Sequence, residues 1–517
     1  MSTRIMIANR GEIAVRIARS LIESSYIPVG VYTKEDENAL HRRYLVEDRE
    51  VSSYLDIKDL VDAALEMGAE AIHPGYGFLS ENSEFAREVA RRGLIFIGPT
   101  PSIIDLAGDK IALKILAEKI EVPVLPWCEV RGPEDIYEFA RTHGYPVIIK
   151  AVGGGGGRGC RVVWSSSEIE KATEAARKEA EAAFRDPRLY VEPYLEHAKH
   201  IEVQVLGDGD NVVHLYEREC SVQRRFQKIV EEAPSPSITH WEREKLLEYA
   251  VTLAKQLRYK SAGTIEFLFD NKRREFYLME VNARLQVEHP ITEMITRVDI
   301  VKKQVEIALY SVLDLKQNNV EVHGHSIEVR VYAENPLTGE PSPGVVMRYR
   351  EPSGPGIRVD SGIAENSKVS AKYDPLVAKV IAWGPTRIVS ISRLKMALED
   401  YTIEGVATNI PLLKYVISSE EFASGTYTTE FFKEKENYFK ELIKEALELQ
   451  SATLIALLEL GDKSVKELYE KKIGIRGVIS TEHIKRLKRS AWYYYTQLKY
   501  SLPTRIRKQR KPPVKHK

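Results

Sequence analysis

Five consecutive glycines lie between two apolar segments that read as strands. The first segment, 145–152, reads YPVIIKAV, the glycines occupy 153–157, and the second segment, 160–164, reads CRVVW. Glycine lets backbone N–H groups approach a ligand where a side chain would collide with it. A flexible linker is the simpler interpretation, but it is disfavoured between two strands with Lys150 at the end of the first. The pattern favours a loop that folds over phosphates beside a strand-borne lysine.

Two better-known phosphate loops do not fit the sequence. A dinucleotide fingerprint and a P-loop each open a helix, whereas this loop leads into a strand and no Gly-Lys-Ser/Thr follows it. The first turn of the chain, ANRG at 8–11, contains a single glycine, so NAD binding there is not expected either.

Composition excludes several classes of protein. Lys and Arg together number 75, as do Asp and Glu, so the formal charge is zero and general nucleic-acid binding is not expected. The three cysteines form no CxxC pair, which fits a reducing cytoplasm. The N-terminus lacks the apolar region of a signal peptide, and no apolar stretch approaches the roughly 18 residues of a membrane span. We expect a cytoplasmic protein without a membrane partner.

The order of elements predicts an α/β protein of several domains, since 517 residues suggest three or four. Strand and helix patterns alternate over residues 1–100, which is typical of a parallel sheet covered on both faces. The segment 105–120 has a helical pattern, and strands dominate from 190 to 282. The segment 341–381 is again β-rich, and helical patterns follow beyond residue 437.

Two acidic residues are predicted to face each other across a hairpin. The segments TIEFLF (264–269) and FYLMEVN (276–282) alternate as strands do, so Glu280 and Asn282 share a face. Pairing residue 270 with 276 places Glu266 opposite Glu280. Two carboxylates and an amide suit a hard cation such as Mg²⁺. A solvated hairpin face is the alternative, but like charges directly opposite cost stability without a cation.

A polar row follows the hairpin. Arg284, Gln286 and Glu288 are spaced by two residues, so in extended backbone they share a face with Glu280 and Asn282. Such a row adds a fixed cation and a candidate base to the metal site, although a surface strand is the alternative. The segment 218–228 (RECSVQRRFQK) is strongly basic, a pattern that by itself is more often a solvated face than an anion site.

Taken together, these segments closely resemble the biotin carboxylase branch of the ATP-grasp enzymes. The resemblance covers roughly residues 4–442 and rests on the order of ANRGEIAVR (8–16), AIHPGYGFLSEN (71–82), FIGP (96–99), GDK (108–110), PVIIKAVGGGGGRG (146–159), HIEVQVLGD (200–208), RECSVQRRFQKIVEEAP (218–234), GTIEFLF (263–269) and MEVNARLQVEHPITEM (279–294). It implies an α/β fold made of an N-terminal parallel, Rossmann-like domain (1–104), a central ATP-grasp domain (105–325) with a mobile glycine-rich lid (about 131–203) and a β-rich biotin carboxylase C-terminal domain (326–445). A helical appendage (446–502) and a basic tail predicted to be disordered (503–517) follow.

The resemblance also implies a role for each candidate site residue. The expected ATP-binding residues are Lys110 and Lys150 at the phosphates, Gly156 and Gly157 in the lid, Glu192 and Leu195 in the adenine hinge, and His200, Glu266 and Glu280. The expected ligands of Mg²⁺ or Mn²⁺ are Glu266, Glu280 and Asn282. The expected bicarbonate and biotin residues are Lys228, Arg284, Gln286, Val287, Glu288 as the base, and Arg358 beside the biotin enolate; Lys228, Arg284, Glu288 and Arg358 form the catalytic set.

The implied reaction is the ATP-dependent carboxylation of biotin. Bicarbonate attacks the γ-phosphoryl group to give carboxyphosphate and ADP, and the CO₂ released from carboxyphosphate is captured by the biotin ureido nitrogen. No Ala-Met-Lys-Met biotin-attachment sequence occurs in the chain. We therefore expect biotin on a separate biotin carboxyl carrier protein, a homodimer within a larger complex, and a separate carboxyltransferase subunit. The appendage is expected to dock partner subunits, a plain helical cap being the alternative.

Several functions remain open. An acetyl-CoA or propionyl-CoA carboxylase is the leading holoenzyme, and a two-subunit pyruvate carboxylase is the alternative. A carboxylate–amine ligase of the ATP-grasp superfamily is more distant, because Arg284, Gln286 and Glu288 argue against it. A non-catalytic subunit is disfavoured by the intact candidate residues. Two departures from the family pattern are Phe226, where a histidine is common, and Pro193, where a lysine is common.

Overall fold

The computed structural model describes residues 3–448, apart from 156 and 158. The predicted basic tail, and all of the predicted appendage beyond residue 448, lie outside the described residues. The predicted α/β class is confirmed, with a parallel sheet in the first hundred residues and antiparallel sheets thereafter. The domain limits stay predictions. Among the described helices, none combines the length and the apolar character needed to cross a bilayer.

The first hundred residues form a five-stranded parallel sheet of order β3-β2-β1-β4-β5. Helix α1 packs on it through Ile13, Ile17 and Leu21, which are buried as their four-residue spacing predicts. The elements are β1 (Arg4–Ile7), α1 (Gly11–Glu23), β2 (Ile27–Tyr32), β3 (Glu47–Glu50), α2 (Ile57–Glu66), β4 (Ala71–His73), α3 (Ser83–Arg91) and β5 (Ile95–Phe96).

The segment predicted to be helical, 105–120, contains a break. Two helices occupy this region, α4 (Pro101–Gly108) and α5 (Lys110–Lys119), and they are separated at Asp109. Asp109 has extended backbone, and its side chain accepts a hydrogen bond of 2.9 Å from Ala112 N, which caps α5. The helical periodicity runs through both helices, so it does not reveal the break. The break places Lys110 in the first turn of α5.

A second, four-stranded sheet carries the glycine run. Its strand order is β6-β9-β7-β8, and β7 pairs antiparallel with β8 through Val147–Val163 and Ile149–Arg161. The glycines therefore connect two paired strands of one sheet, as predicted. The elements are β6 (Cys128–Val130), α6 (Pro133–His143), β7 (Val147–Ala151), β8 (Arg161–Val163), α7 (Ile169–Phe184) and β9 (Leu189–Pro193).

The rest of the described chain is built on one eight-stranded sheet of order β14-β13-β10-β11-β12-β15-β20-β18. Two small sheets, β16-β19 and β17-β21, lie beside it, and residues 431–448 are helical. The elements are β10 (Lys199–Asp208), β11 (Val212–Arg224), β12 (Gln227–Ala233), α8 (His240–Gln256), β13 (Lys260–Asp270), β14 (Glu275–Asn282), α9 (His289–Thr296), α10 (Ile300–Tyr310), β15 (His325–Tyr332), β16 (Gly344–Val345), β17 (Arg348–Arg350), β18 (Ile357–Ser361), β19 (Lys368–Val369), β20 (Leu376–Gly384), α11 (Arg387–Asp400), β21 (Thr402–Glu404), α12 (Ile410–Ser418) and α13 (Glu420–Ser424).

The hairpin that carries the acid pair has a different register at its tip than predicted. Asp270 pairs with Glu275 rather than with Phe276, so the predicted register there is wrong by one residue. A β-bulge shifts the register between Phe267 and Glu266, and beyond it Glu266 pairs with Glu280 as predicted. Alternation in the sequence fixes which side chains share a face, but it carries no signal for an extra residue in one strand.

A buried ion group joins β12 to the C-terminal helices. Glu232 accepts hydrogen bonds from His325 at 2.6 Å and from Arg387 at 2.7 and 2.9 Å. Burial alone would raise the pKa of the Glu232 carboxyl group, but His325 and Arg387 outweigh it and lower the pKa to about 2. A pKa lowered in the folded state stabilises the protein above the unfolded value near 4.5, and this stabilisation is lost as the pH falls towards 2.

We expect Glu232→Gln to lower the free energy of unfolding at pH 7 by about 3 kcal/mol, from roughly 1.4 kcal/mol for each unit of pKa shift. The loss of stability between pH 4.5 and 2 should also become shallower. Denaturant unfolding at several pH values measures both effects. Glu244→Gln, on the exposed face of α8, is the control. Equal stability of Glu232→Gln and the wild type at pH 7 would contradict the account.

Candidate active site

The acid pair lies at the centre of a buried polar cluster. Glu266 on β13 and Glu280 on β14 face each other, and the amide nitrogen of Asn282 lies 2.8 Å from Glu266 Oε1 and 3.5 Å from Glu280 Oε1. The apolar neighbours of Glu266 on β13, Ile265 and Phe267, point into the core on the other face. This alternation explains why both carboxylates emerge on one side of the sheet.

Lys228, on β12, connects the carboxylates. Its ammonium lies 2.8 Å from Glu266 Oε1 and 2.7 Å from Glu288 Oε1, and it also contacts Glu202. Burial alone would lower the pKa of Lys228, but Glu202, Glu266 and Glu288 outweigh it and raise the pKa well above its usual value. A single cation therefore holds three carboxylates together.

His200 completes the cationic side of the cluster. Its Nε2 lies 2.8 Å from Glu266 Oε2, and its Nδ1 lies 2.9 Å from the amide nitrogen of Gln223. Burial alone would lower the pKa of His200, but the charge of Glu266 raises it to about 9. Burial would raise the pKa of Glu266, but Lys228 and His200 lower it to about 2. His200 and Glu266 therefore each favour the charged form of the other.

The side chains of Arg284, Gln286 and Glu288 approach the acid pair, but the backbone that carries them differs from the prediction. Strand β14 ends at Asn282, and Glu288 is the N-cap of α9 with φ −83° and ψ 8°, so the predicted extended backbone is wrong. The side chains meet nevertheless: Gln286 Nε2 lies 2.8 Å from Glu266 Oε1, and Arg284 donates to Asn282 Oδ1 at 2.9 Å. Pro290 in the first turn of α9 favours a helix start here.

Three residues of the cluster were not singled out by the sequence patterns. Glu81 accepts from Arg284 Nε at 2.8 Å and from Ala283 N at 3.2 Å. Arg330 donates to Glu288 Oε2 at 3.0 Å, and Glu202 binds Lys228 and the buried Arg218. Glu202 and Arg330 alternate with apolar residues on strands, the only signal that could have shown that they share a sheet face.

The two expected phosphate lysines are held by acids. Lys110 lies 3.2 Å from Glu280 Oε2, and Lys150 forms an ion pair with Glu192. Glu192 also contacts Lys114 at 2.9 Å. Burial alone would raise the pKa of Glu192, but the two lysines lower it to about 2. The Glu192 carboxylate therefore neutralises Lys114 and Lys150. Leu195, the other expected hinge residue, lies half-buried in the segment that follows β9.

The glycine run reaches the β11–β12 hairpin. A Cβ atom on Gly157 would lie 2.5 Å from Phe226 Cβ, and Gly157 has φ +77°. Only glycine suits a position that is both crowded and left-handed. Phe226 therefore packs against the glycine-rich loop. A histidine at this position would place a polar ring against the loop instead of an apolar one. Gly156 lies outside the described residues.

Arg358 lies in a neighbouring charged group. On β18 it donates to Asp360 at 2.9 and 2.7 Å, and to Glu293 on α9 at 2.8 Å. Arg16 contacts the same Glu293 at 2.8 Å. Arg358 therefore contacts residues of α9 and β18 and does not contact Lys228 among the described residues. Helix α9 connects the two charged groups, because Glu288 is its N-cap and Glu293 lies within it.

The residues present suit a divalent cation bound with a nucleotide. Glu266 and Glu280 offer carboxylate oxygens, the ligands that Mg²⁺ and Mn²⁺ prefer. The amide oxygen of Asn282 faces Arg284 and would join them after the side-chain amide rotates. Both carboxylates are stabilised by lysines, Glu266 by Lys228 and Glu280 by Lys110.

Comparisons with known proteins agree with this geometry. Family models match as "Biotin carboxylase, N-terminal domain" over residues 1–104, "Carbamoyl-phosphate synthase L chain, ATP binding domain" over 109–316 and "Biotin carboxylase C-terminal domain" over 328–434. Biotin carboxylase 2 of Bacillus subtilis is 45% identical over 84% of this chain and 100% of its own length. The chain belongs to the biotin carboxylase family. The resemblance inferred from the sequence and the predicted enzyme class are confirmed.

Other similar proteins come from different carboxylases. A pyruvate carboxylase subunit of Methanothermobacter thermautotrophicus is 46% identical over 84% of this chain and 90% of its own length. The biotin carboxylase domain dimer of 2-oxoglutarate carboxylase from Hydrogenobacter thermophilus, solved with MgADP, ADP and bicarbonate, is 43% identical. Its TM-score is 0.82, and the match covers 85% of this chain and 99% of that chain. These comparisons support biotin carboxylase function in a biotin-dependent carboxylase. They do not distinguish which acceptor molecule the whole carboxylase uses.

Glu81→Gln tests whether the contact from the N-terminal sheet orients Arg284 in this biotin carboxylase. The Glu81 side chain is 42% exposed, so loss of its hydrogen bond costs about 1 kcal/mol or less. If Arg284 binds bicarbonate as the resemblance implies, the KM for bicarbonate should rise by up to about fivefold. The KM for ATP should change less than about twofold. Steady-state kinetics with each substrate varied in turn measures both, with the exposed Glu84→Gln as control. An unchanged KM for bicarbonate would show that Glu81 does not orient Arg284.

Proposed function

We propose that this chain is the biotin carboxylase subunit of an acetyl-CoA or propionyl-CoA carboxylase. It carboxylates biotin on a separate biotin carboxyl carrier protein, using ATP and bicarbonate through carboxyphosphate. The single observation that supports this chemistry, whichever the acceptor, is the position of Lys228, whose ammonium lies 2.8 Å from Glu266 and 2.7 Å from Glu288. One cation thereby joins a candidate metal ligand to the candidate base.

Glu288 is proposed to take the proton of bicarbonate. Its carboxylate is fully buried, and Lys228 and Arg330 each fix one of its oxygens. A base must be positioned within hydrogen-bonding distance of the proton it removes, and two cations restrict the rotation of this carboxylate. Lys228 and Arg284 supply positive charge for bicarbonate beside it, with Gln286 and the Val287 backbone completing the binding site. Attack on the γ-phosphoryl group then gives carboxyphosphate and ADP.

The nucleotide is proposed to lie between the glycine-rich loop and the acid pair. Mg²⁺ or Mn²⁺ bound with the nucleotide would be held by Glu266, Glu280 and Asn282 and would supply neutralisation of phosphate charge. Lys110 and Lys150 are bound to Glu280 and Glu192, so each can exchange a carboxylate for a phosphate oxygen without leaving its strand or helix. Gly156, Gly157, Leu195 and His200 remain proposed nucleotide contacts.

Biotin is proposed to be carboxylated near Arg358. The guanidinium, oriented by Asp360 and Glu293, would stabilise the negative charge of the ureido oxygen as the enolate forms. The phosphate released from carboxyphosphate accepts the ureido proton, and the nitrogen attacks CO₂. The proposed partners are the carrier protein, a second copy of this chain and a carboxyltransferase subunit.

The biotin carboxylase subunit of a two-subunit pyruvate carboxylase is the second candidate, because the pyruvate carboxylase subunit of Methanothermobacter thermautotrophicus is 46% identical over 84% of this chain. The two candidates share the reaction above and differ in the acceptor. Isolation of the native complex, followed by incubation with ATP, labelled bicarbonate and each acceptor in turn, separates them. Labelled malonyl-CoA or methylmalonyl-CoA supports the first candidate, and labelled oxaloacetate supports the second.

We expect the purified protein to hydrolyse ATP in a reaction that requires bicarbonate and a divalent cation and is stimulated by free biotin. The physical reason is that the γ-phosphoryl group can be transferred to bicarbonate only when both are bound beside Lys228. Phosphate release measured with and without each component tests this. Stimulation by an amine substrate together with indifference to biotin would instead identify a carboxylate–amine ligase.

Glu288→Gln should bind MgADP as the wild type does but lose at least about 100-fold in kcat, the typical contribution of a general base. Glutamine keeps the hydrogen bonds to Lys228 or Arg330 but accepts no proton from bicarbonate. Nucleotide binding by calorimetry and turnover by phosphate release give the two readouts. Glu275→Gln, exposed at the start of β14, is the matched control. Turnover within a few-fold of the wild type would reject Glu288 as the base.

A further inference from the structure

Lys379 is a fully buried lysine at the junction of three parts of the chain. It lies on β20 with a side chain that is 0% exposed. Its ammonium donates to the backbone oxygen of Val287 at 2.8 Å, lies 3.2 Å from Glu12 Oε2 on α1, and lies 3.9 Å from Asp360 Oδ2 on β18. The N-terminal sheet, the C-terminal strands and the turn before α9 thus meet at one cation.

The shortest contact of this ammonium is to a backbone carbonyl, not to an acid. A buried ammonium is costly unless it is paired and hydrogen-bonded, and Glu12 is its nearest carboxylate. Burial raises the pKa of Glu12 to about 7, and the charge of Lys379 only partly opposes this. Glu12 therefore neutralises Lys379 incompletely at neutral pH, and the hydrogen bond to Val287 accounts for where the ammonium lies.

Val287 separates two side chains of the candidate site. Gln286 donates to Glu266 at 2.8 Å, and Glu288 contacts Lys228 at 2.7 Å. The carbonyl of Val287 and the N–H of Glu288 belong to one planar peptide group, so a cation that holds the oxygen also sets the direction of that N–H. The same ammonium approaches Asp360, which orients Arg358 through two hydrogen bonds.

We propose that Lys379 is a positioning residue that holds the 286–288 turn in its bicarbonate-binding form and ties this turn to Arg358. The inference deepens the proposed function and rests on it. Lys379 touches no substrate in this proposal; it acts through Val287 and Asp360. The competing explanation is that Lys379 exists only to neutralise Glu12 in the protein interior.

Three variants separate the two explanations. Lys379→Met removes the hydrogen bond to Val287 and leaves Glu12 without a cation. Glu12→Gln keeps the lysine and its contact with Val287. The double variant Lys379→Met/Glu12→Gln removes the bond to Val287 together with the charge of Glu12. A role confined to neutralising Glu12 therefore predicts full recovery in the double variant.

We expect Lys379→Met to raise the KM for bicarbonate at least about tenfold while the KM for ATP changes less than about twofold. The double variant should recover thermal stability but keep the raised KM for bicarbonate, and Glu12→Gln should stay near the wild type. Lys414→Met, which removes a partly exposed lysine paired with Glu399 at 2.7 Å, is the control. If Lys379→Met does not fold, the KM for bicarbonate of the double variant alone decides between the two explanations.

Recovery of both stability and bicarbonate KM in the double variant would overturn the inference, as would an unchanged bicarbonate KM in a folded Lys379→Met. Failure of the proposed function has a different signature. In that case the wild type itself shows no bicarbonate-dependent ATP hydrolysis, and MgADP binding to all variants stays equal. The wild-type assay therefore comes first, and the variants are compared only against a bicarbonate-dependent wild type.

Discussion

The ammonium of Lys228 is the interaction on which the candidate site depends. Glu202, Glu266 and Glu288 come from three different elements and would repel one another in a buried space without a cation among them. Strand pairing places Glu202 on β10 directly opposite Glu266 on β13. Lys228 comes from β12, which two strands separate from β13 in the sheet, so its ammonium reaches Glu266 through the length of the side chain. His200 and Arg330 supply further positive charge.

The eight-stranded sheet explains how this cluster keeps its geometry. Strand β12 pairs on one side with β11 and on the other with β15, so the strand that carries Lys228 is shared by the central and the C-terminal parts of the chain. Arg330 on β15 and Lys379 on β20 approach the 286–288 turn from that continuation of the sheet. Residues far apart in sequence are thus fixed relative to one another by hydrogen-bonded backbone, and Glu12 on α1 contacts Lys379 from the N-terminal sheet.

Much of the fold and the acid pair could be predicted from the sequence because each depends on a local period. Alternation places Glu266 and Glu280 on one face, and the four-residue spacing in α1 identifies its buried side. The break at Asp109, the bulge in β14 and the turn before α9 depend on caps and backbone dihedrals that leave no mark on the apolar pattern. Glu81 and Lys379 could not be predicted either, because their importance comes only from tertiary contacts with Arg284 and Val287.

The bulge in the β13–β14 hairpin allows the length of the turn at the hairpin tip to vary. Met279 is the additional residue, and it lies between the turn at 271–274 and the position where Glu280 meets Glu266. In a regular hairpin, adding or deleting one residue in the turn would rotate one whole strand so that its side chains changed faces. A strand that already contains a β-bulge can accommodate such a change by moving or losing the bulge. Related chains can therefore differ in the length of this turn while the separation of the two carboxylates stays constant.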